Sequence, residues 1–301
     1  MVSVVTGAFG FTGRHIAARL IAAGERFRTL TAHPERPNPF GGRVEVAPLD
    51  FGRPDELVEN LRGADVLYNT YWIRFPHGQL TFEKATENSQ TLIRAAEDAG
   101  VRRIVHVSIA NHSEDSPLGY YRGKARVEKM IRESSLSYAI LRPAVIFGDE
   151  GLLINNIAWM LRKMPLFVVP GRGDYKLQPV FVEDLSEMAV RLGRKDESVI
   201  VDAVGPETYT FNDLLARIAR AVGSRALIIH LPPEIALYLS RIIGEIIGDV
   251  ILTRDEVKGL MADLLASDGP PTGRTRLSDW LTQNADLIGA EYVSELKRHY
   301  R

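Results

Sequence analysis

The sequence predicts an α/β chain: a doubly wound parallel sheet in the first half, followed by a smaller, mainly helical lobe. Three observations predict it. Short β-branched runs alternate with amphipathic stretches from the N-terminus to about residue 150. That alternation argues for a parallel sheet covered on both faces. A glycine-punctuated turn joins the first strand to the first helix. After Gly148 the rhythm loosens and helical spacing dominates.

The elements follow in order. "VSVVT" (2–6) reads as a buried strand, and "TGRHIAARLIAAG" (12–24) as a helix with Gly24 at its C-terminal end. "FRTLTA" (27–32) and "RVEVAPLD" (43–50) are the next strands, and "PDELVENLRG" (54–63) is a helix with Pro54 in its first turn. Strand "DVLYNT" (65–70), a helix over about 80–99, strand "RRIVHVS" (102–108), a helix through "GYYRGK" (119–124) and strand "SYAILRP" (137–143) continue the pattern. Later helices are expected at 152–163, 182–193, 211–223, 233–247, 253–267 and 277–300. Short strands around 166–169, 178–181 and 198–202 are expected to return to the sheet edge. The domain reading is therefore 1–150, with sheet-edge segments returning from about 166–203, and 151–301 for the substrate-side lobe.

Bulk numbers narrow the function. The 301 residues can bury a sizeable core. Thirty-seven basic residues oppose thirty-eight acidic ones, for a net charge of −1. No basic excess marks a nucleic-acid partner. There is no cysteine, so disulfides, thiolate metal sites and a cysteine nucleophile are excluded, which fits a cytoplasmic protein. The start "MVSVVTGAFG" lacks the pattern of a secretory signal. The apolar run 235–252 is broken by Arg241, Glu245 and Asp249, so no transmembrane segment is expected. The seven histidines show no chelating spacing and no G-x-S-x-G elbow is present, so neither a metal nor that hydrolase chemistry is expected.

Gly7, Gly10 and Gly13 lie in "TGAFGFTGR" directly after a strand and before a helix. There the backbone N–H groups and the helix N-terminus can face a pyrophosphate; an ordinary strand-to-helix turn is the alternative. In "GYYRGK", Tyr120 and Lys124 stand four apart and share a helix face. A tyrosine with its ordinary pKa of about 10 is a poor base at neutral pH, and a neighbouring ammonium favours its phenolate. A surface pair without chemistry would show the same spacing.

These motifs together resemble the short-chain dehydrogenase/reductase superfamily, in its extended and atypical branch. The resemblance rests on G-x-x-G-x-x-G at the N-terminus, "LD" (49–50), Asn88 in "ENSQTLIRAAEDAGV", "VHVS" (105–108), Tyr-x-x-x-Lys, "LRPAVIFG" (141–148) and "PVFVEDLSEMA" (179–189). It covers at least residues 1–220. The nearest likeness is to the subgroup containing relatives of the 39-kDa accessory subunit of respiratory complex I; sugar-nucleotide epimerases and dehydratases are more distant.

The resemblance implies a Rossmann-type fold and NAD(P)-dependent oxidoreductase or epimerase/dehydratase-like chemistry on a small-molecule substrate. It implies Tyr120 for proton transfer, Lys124 for the nicotinamide ribose and Ser108 at the strand end. The usual Ser/Thr position falls on Ile109, so a cofactor-binding protein without turnover, acting in redox sensing or assembly, stays open as the alternative. The cofactor set implied is Gly7, Phe9, Gly10, Phe11, Thr12, Gly13, Asp50, Phe51, Asn69, Thr70, Tyr71, Lys124, Pro143 and Val145. "TLTAHPER" (29–36) has no carboxylate at 31–33, while His33 and Arg36 are available to a 2′-phosphate. NADP is therefore expected, with NAD the alternative. In "NTYWIRFPHGQ", Trp72, Arg74 and His77 are candidates for a substrate wall or a lid, with Asn111 a further substrate candidate. Arg142 is expected to anchor its strand end. A homodimer is compatible with the apolar 233–252 region.

Overall fold

The computed structural model describes residues 2–300. The chain runs β1 (Val2–Thr6), α1 (Phe11–Ala22), β2 (Arg26–Thr31), β3 (Glu45–Pro48), α2 (Pro54–Leu61), β4 (Val66–Asn69) and α3 (Phe82–Asp98). It continues with β5 (Arg103–Val107), α4 (Gly119–Glu133) and β6 (Ser137–Pro143), then β7 (Val145–Phe147), α5 (Leu152–Lys163), β8 (Leu166–Pro170), β9 (Lys176–Leu177) and β10 (Pro179–Phe181). Next come α6 (Val182–Gly193), β11 (Val199–Ala203), β12 (Tyr209–Thr210), α7 (Phe211–Ala221), β13 (Leu227–Leu231) and α8 (Pro233–Ile247). Finally there are α9 (Arg254–Met261), α10 (Leu277–Gln283) and α11 (Glu295–His299). Two units divide these elements: residues 1–142 with 182–202, and residues 143–181 with 203–301.

The first unit holds a seven-stranded sheet in the order β11-β6-β5-β4-β1-β2-β3. The pairings that join β3 through β6 are parallel. From β3 to β6 this is the doubly wound order 3-2-1-4-5-6, with its switch point between β1 and β4. All residues of β4 and β5 are buried, as expected of central strands covered on both faces. One face packs Leu57, Leu61, Leu92, Val127 and Ile131 of α2, α3 and α4 against Val4, Leu67 and Ile104. Helices α1 and α6 pack together, where Glu183 takes Arg19 at 3.0 Å and His15 at 2.5 Å. Arg103 is fully buried in β5. Its guanidinium is satisfied by the carbonyls of Leu192, Asp196 and Glu197 and by Ser137 Oγ, as a buried charge requires.

The second unit is built on short strand pairs (β7 with β10, β9 with β12, β8 with β13) and helices around Phe147, Ile157, Phe167, Leu215 and Trp280. Three expectations are corrected. Of the short strands expected at the sheet edge, only β11 joins the main sheet; β8 pairs with β13 and β10 with β7. The helix expected over 277–300 is broken between α10 and α11. Gly289 has φ +69, and a Cβ on it would sit 2.4 Å from the Trp159 nitrogen. The Asn155 and Asn156 side chains of α5 bond the backbone of Gly289, Glu291 and Val293, replacing the helical ladder. The helix expected to reach residue 267 likewise ends at Met261, because Leu265 pairs with Leu177 and its carbonyl accepts from Gln178 N–H.

Candidate functional site

The glycine loop leaves β1 at Gly7, whose φ of +65 favours glycine. A Cβ on Gly13 would lie 2.2 Å from the Gly7 carbonyl oxygen, so only glycine allows helix and loop to approach this closely. Gly10 caps α1 without a side-chain bond, and no acid stands in the first turn. The partial positive charge of the helix N-terminus is therefore left for an anion. Phe9, Gly10, Phe11 and Thr12 are half-buried around it, and Phe11 packs edge-on against His15.

Beside the loop, β1 and β4 are latched at the switch point. Thr70 N–H donates to Thr6 Oγ1 at 2.8 Å, Thr70 Oγ1 donates to the Thr6 carbonyl at 2.6 Å, and Thr6 Oγ1 donates to Asn69 Oδ1 at 3.2 Å. Asn69 is fully buried and its Nδ2 faces His106 Nδ1 at 3.1 Å. The side chains of Asn69 and Thr70 thus shape the floor of the crevice. Tyr71 stacks at a tilt on Phe51, 4.8 Å between centroids, and its hydroxyl accepts from Asn88 Nδ2 at 2.8 Å. Burial raises its pKa.

At the end of β2, His33 lies 3.5 Å from Glu35. Asp50 accepts from Gly52 N–H and pairs with Arg53 at 2.8 Å. That Arg53 hydrogen bond lowers its pKa. Pro143 and Val145 fall at the end of β6 and the start of β7, in the second unit.

Helix α4 carries the other half of the candidate site. Tyr120 is half-buried among aromatic rings: Trp72 at 6.0 Å, Phe82 at 5.9 Å and Tyr121 at 5.6 Å. Lys124 is only 3 % exposed. Its Nζ donates to the Val107 carbonyl at 2.7 Å and sits 4.9 Å above the Trp72 ring. Burial pulls the ammonium down to about 7, with Glu128 opposing. Trp72 reaches this place because residue 123 is glycine: a Cβ there would meet the indole at 2.7 Å.

Trp72 therefore turns inward, while His77 lies on an exposed turn closed by reciprocal backbone bonds with Leu80, and Arg74 covers Phe75. Trp72, Arg74 and His77 therefore do not form one wall. Asn111 has φ 54 and sits on the loop between β5 and α4. Ile109, at the usual hydroxyl position, is buried.

The sequence reading missed what lies one turn further along α4. Glu128 is 1 % exposed. It accepts a bidentate bond from Arg142, 2.7 Å at the shortest, and His112 Nε2 lies 2.5 Å from its other oxygen. Burial alone would raise its pKa; the bonds from His112 and Arg142 hold it at about 2 instead. Arg142 anchors its strand end through Glu128, while the Oγ of buried Ser108 makes no hydrogen bond among the described residues. The signal was present, since Tyr120, Lys124 and Glu128 are spaced four and four along one helical face. His106, beside this cluster and fully buried, is pushed down to about 3, chiefly by burial and then by Lys124.

Residues 7–153 match the NAD(P)H-binding family. Subunit 9 of the mitochondrial NADH dehydrogenase [ubiquinone] 1 alpha subcomplex is 25 % identical in Arabidopsis thaliana over 287 residues, covering 89 % of this chain and 71 % of that one. The Mus musculus counterpart is 27 % identical over 319 residues, covering 99 % and 80 %. Among solved structures, the NADPH-dependent quinone oxidoreductase of Escherichia coli, complexed with NADPH, superposes with a TM-score of 0.75 at 20 % identity. That match covers 94 % of this chain and 99 % of that one. The Citrobacter triphenylmethane reductase complexed with NADP(H) gives 0.70 at 20 % identity, covering 95 % and 100 %. These two establish likeness of fold. The glycine loop, the sheet order and these matches together show an NAD(P)H-binding domain in the first half of the chain, and similarity over most of its length to the complex I subunit relatives.

Proposed function

We propose that the chain is an NAD(P)-dependent oxidoreductase, of the epimerase/dehydratase-like kind, acting on a small-molecule substrate. Tyr120 exchanges a proton with the substrate oxygen. Lys124 favours the Tyr120 phenolate and holds the nicotinamide ribose. The cofactor, when bound, supplies the hydride chemistry. Gly7 to Gly13 and the start of α1 bind its pyrophosphate, and Ser108 lies at the strand end beside the site. One observation carries the reading: a half-exposed Tyr120 shares an α4 face with Lys124, in the same unit as a glycine loop whose helix N-terminus is open to an anion.

NADP is the preferred cofactor in this reading, because no carboxylate stands at residues 31–33 and Arg36 follows. Glu35 beside His33 is the feature that weakens it. A cytoplasmic setting belongs to the same proposal, as does a possible homodimer. Among the described residues no helix is long and apolar enough to cross a membrane, and the named complex I relatives are mitochondrial proteins.

A second reading, cofactor binding without turnover, is favoured by Ile109 at the hydroxyl position, because oxyanion stabilisation then lacks a donor. Separate titrations with NADPH and NADH, followed by nicotinamide fluorescence, decide the first step. We expect NADPH to bind at least tenfold tighter; the reverse order removes the 2′-phosphate assignment. A carbonyl and quinone substrate panel then separates the two readings. Tyr120→Phe should abolish turnover and leave NADPH affinity within about threefold. Absence of turnover with every substrate, with intact binding, supports the second reading.

A further inference from the structure

We propose that the second unit binds a single aliphatic chain, in a cavity between α5, β8, α8 and the 251–260 segment. The cavity measures about 110 Å³ and is lined by carbon side chains, among them Leu153, Ile157, Met160, Phe167, Leu239 and Ile243. The one polar side chain in its wall is Ser240, whose hydroxyl donates to the Leu237 carbonyl of its own helix. Nothing in the lining can select a charge or a hydrogen-bonding group, so the ligand class is hydrocarbon. The volume is somewhat below the roughly 150 Å³ that holds a benzene ring, which suits the end of a chain. Flexible thioethers at Met160 and Met164 let the walls adapt.

The mouth is marked by Leu166, which lines the cavity yet is 39 % exposed. It pairs in register with Leu227, which is 64 % exposed. A polar head would remain in water beyond these two leucines while its tail enters. Helix α8 supplies the independent observation. Ala236, Leu239, Ser240 and Ile243 line the cavity, while Ile235, Tyr238, Ile242 and Ile246 are exposed in a second stripe on the adjoining face of the same helix. A surface helix needs one apolar stripe to hold its place. This one carries two, so its composition exceeds what packing of this unit demands.

The test titrates the full chain with straight-chain carboxylates from butyrate to dodecanoate, below their micelle concentrations, by calorimetry. Affinity should rise about fourfold per added methylene and level off once the cavity is filled. Ala236→Phe puts a ring into the cavity and Ser240→Asp puts a carboxylate in its wall. Each should weaken dodecanoate binding at least tenfold while NADPH affinity stays as in the unsubstituted chain.

If Ala236→Phe fails to fold, Ser240→Asp decides. Cosedimentation with phosphatidylcholine vesicles separates the sources. Capture lost in the cavity variants assigns the tail to a membrane lipid, and carboxylate binding without capture assigns it to a soluble amphiphile. No dependence on chain length, or variants that bind as the unsubstituted chain does, overturns the proposal. Because NADPH binding is read separately, its failure would count against the cofactor site alone.

Discussion

The glycine loop and helix α4 are equally plain as motifs, yet they are made of different material. The loop is a backbone device: its shape follows from Gly7 at φ +65 and from the contact of Gly13 with the Gly7 carbonyl. The α4 end is a side-chain device, and its state depends on neighbours far away in sequence. Trp72 covers Lys124, and Glu128 is held by Arg142 and His112. A backbone motif specifies its own geometry. A side-chain motif specifies only a spacing, and the surrounding packing decides whether the groups face solvent.

The sharpest way to break this contrast is at the loop. Gly13→Val forces a Cβ onto the Gly7 carbonyl, so we expect a loss of at least about 3 kcal/mol of stability and of NADPH binding. Gly7→Ala meets only Thr70 Oγ1, at an ordinary 3.5 Å, and should cost about 1–2 kcal/mol through its backbone angle. Urea unfolding of both variants checks the order. Equal costs would mean that backbone angle, rather than close approach, governs the loop.

Next in size is the α4 network. Glu128→Gln leaves the Arg142 guanidinium without its carboxylate and should cost about 3 kcal/mol, read as a lowered urea midpoint at unchanged slope. A change under about 0.5 kcal/mol would show that the network is dispensable.

The pH dependence sharpens the same region. His106 is depressed from 6.5 to about 3, so between those values the unfolded chain binds the extra proton. Its contribution is present above about 6.5 and is lost as pH falls towards 3. Glu128, depressed from 4.5 to about 2, adds loss below about 4.5. Lys124, depressed from 10.5 to about 7, makes the native state gain stability as pH rises from 7 towards 10.5. Compared with the unsubstituted chain, His106→Asn should flatten the acid limb and Lys124→Met the alkaline limb of a midpoint-against-pH curve.

The smallest effect is expected at Trp72. Its cation–π contact with Lys124 contributes about 1–2 kcal/mol when desolvated. Trp72→Leu should therefore release the ammonium and tighten NADPH binding up to about tenfold. Unchanged affinity would show that Lys124 does not reach the cofactor.

Much of the first unit was legible because its rules are local. The strand–glycine–helix start, the β-branched runs and the four-residue spacing of Tyr120 and Lys124 each depend on residues a few positions apart. The expectations that gave way depended on distant partners. Residues 277–300 have helical spacing throughout, but Asn155 and Asn156 of α5 capture the 289–293 backbone. Trp72 reads as a lid residue until Gly123, 51 positions away, opens a slot for it.

By itself, then, the sequence determined the alternation that builds the parallel sheet and the glycine loop after its first strand, because both are written in residues a few positions apart. Only the tertiary structure decided the strand order and its switch point, the burial of Lys124, the service of His112 and Arg142 to Glu128, and the apolar cavity under α8. Those depend on which side chains the folded chain brings together and on how far water is excluded from them.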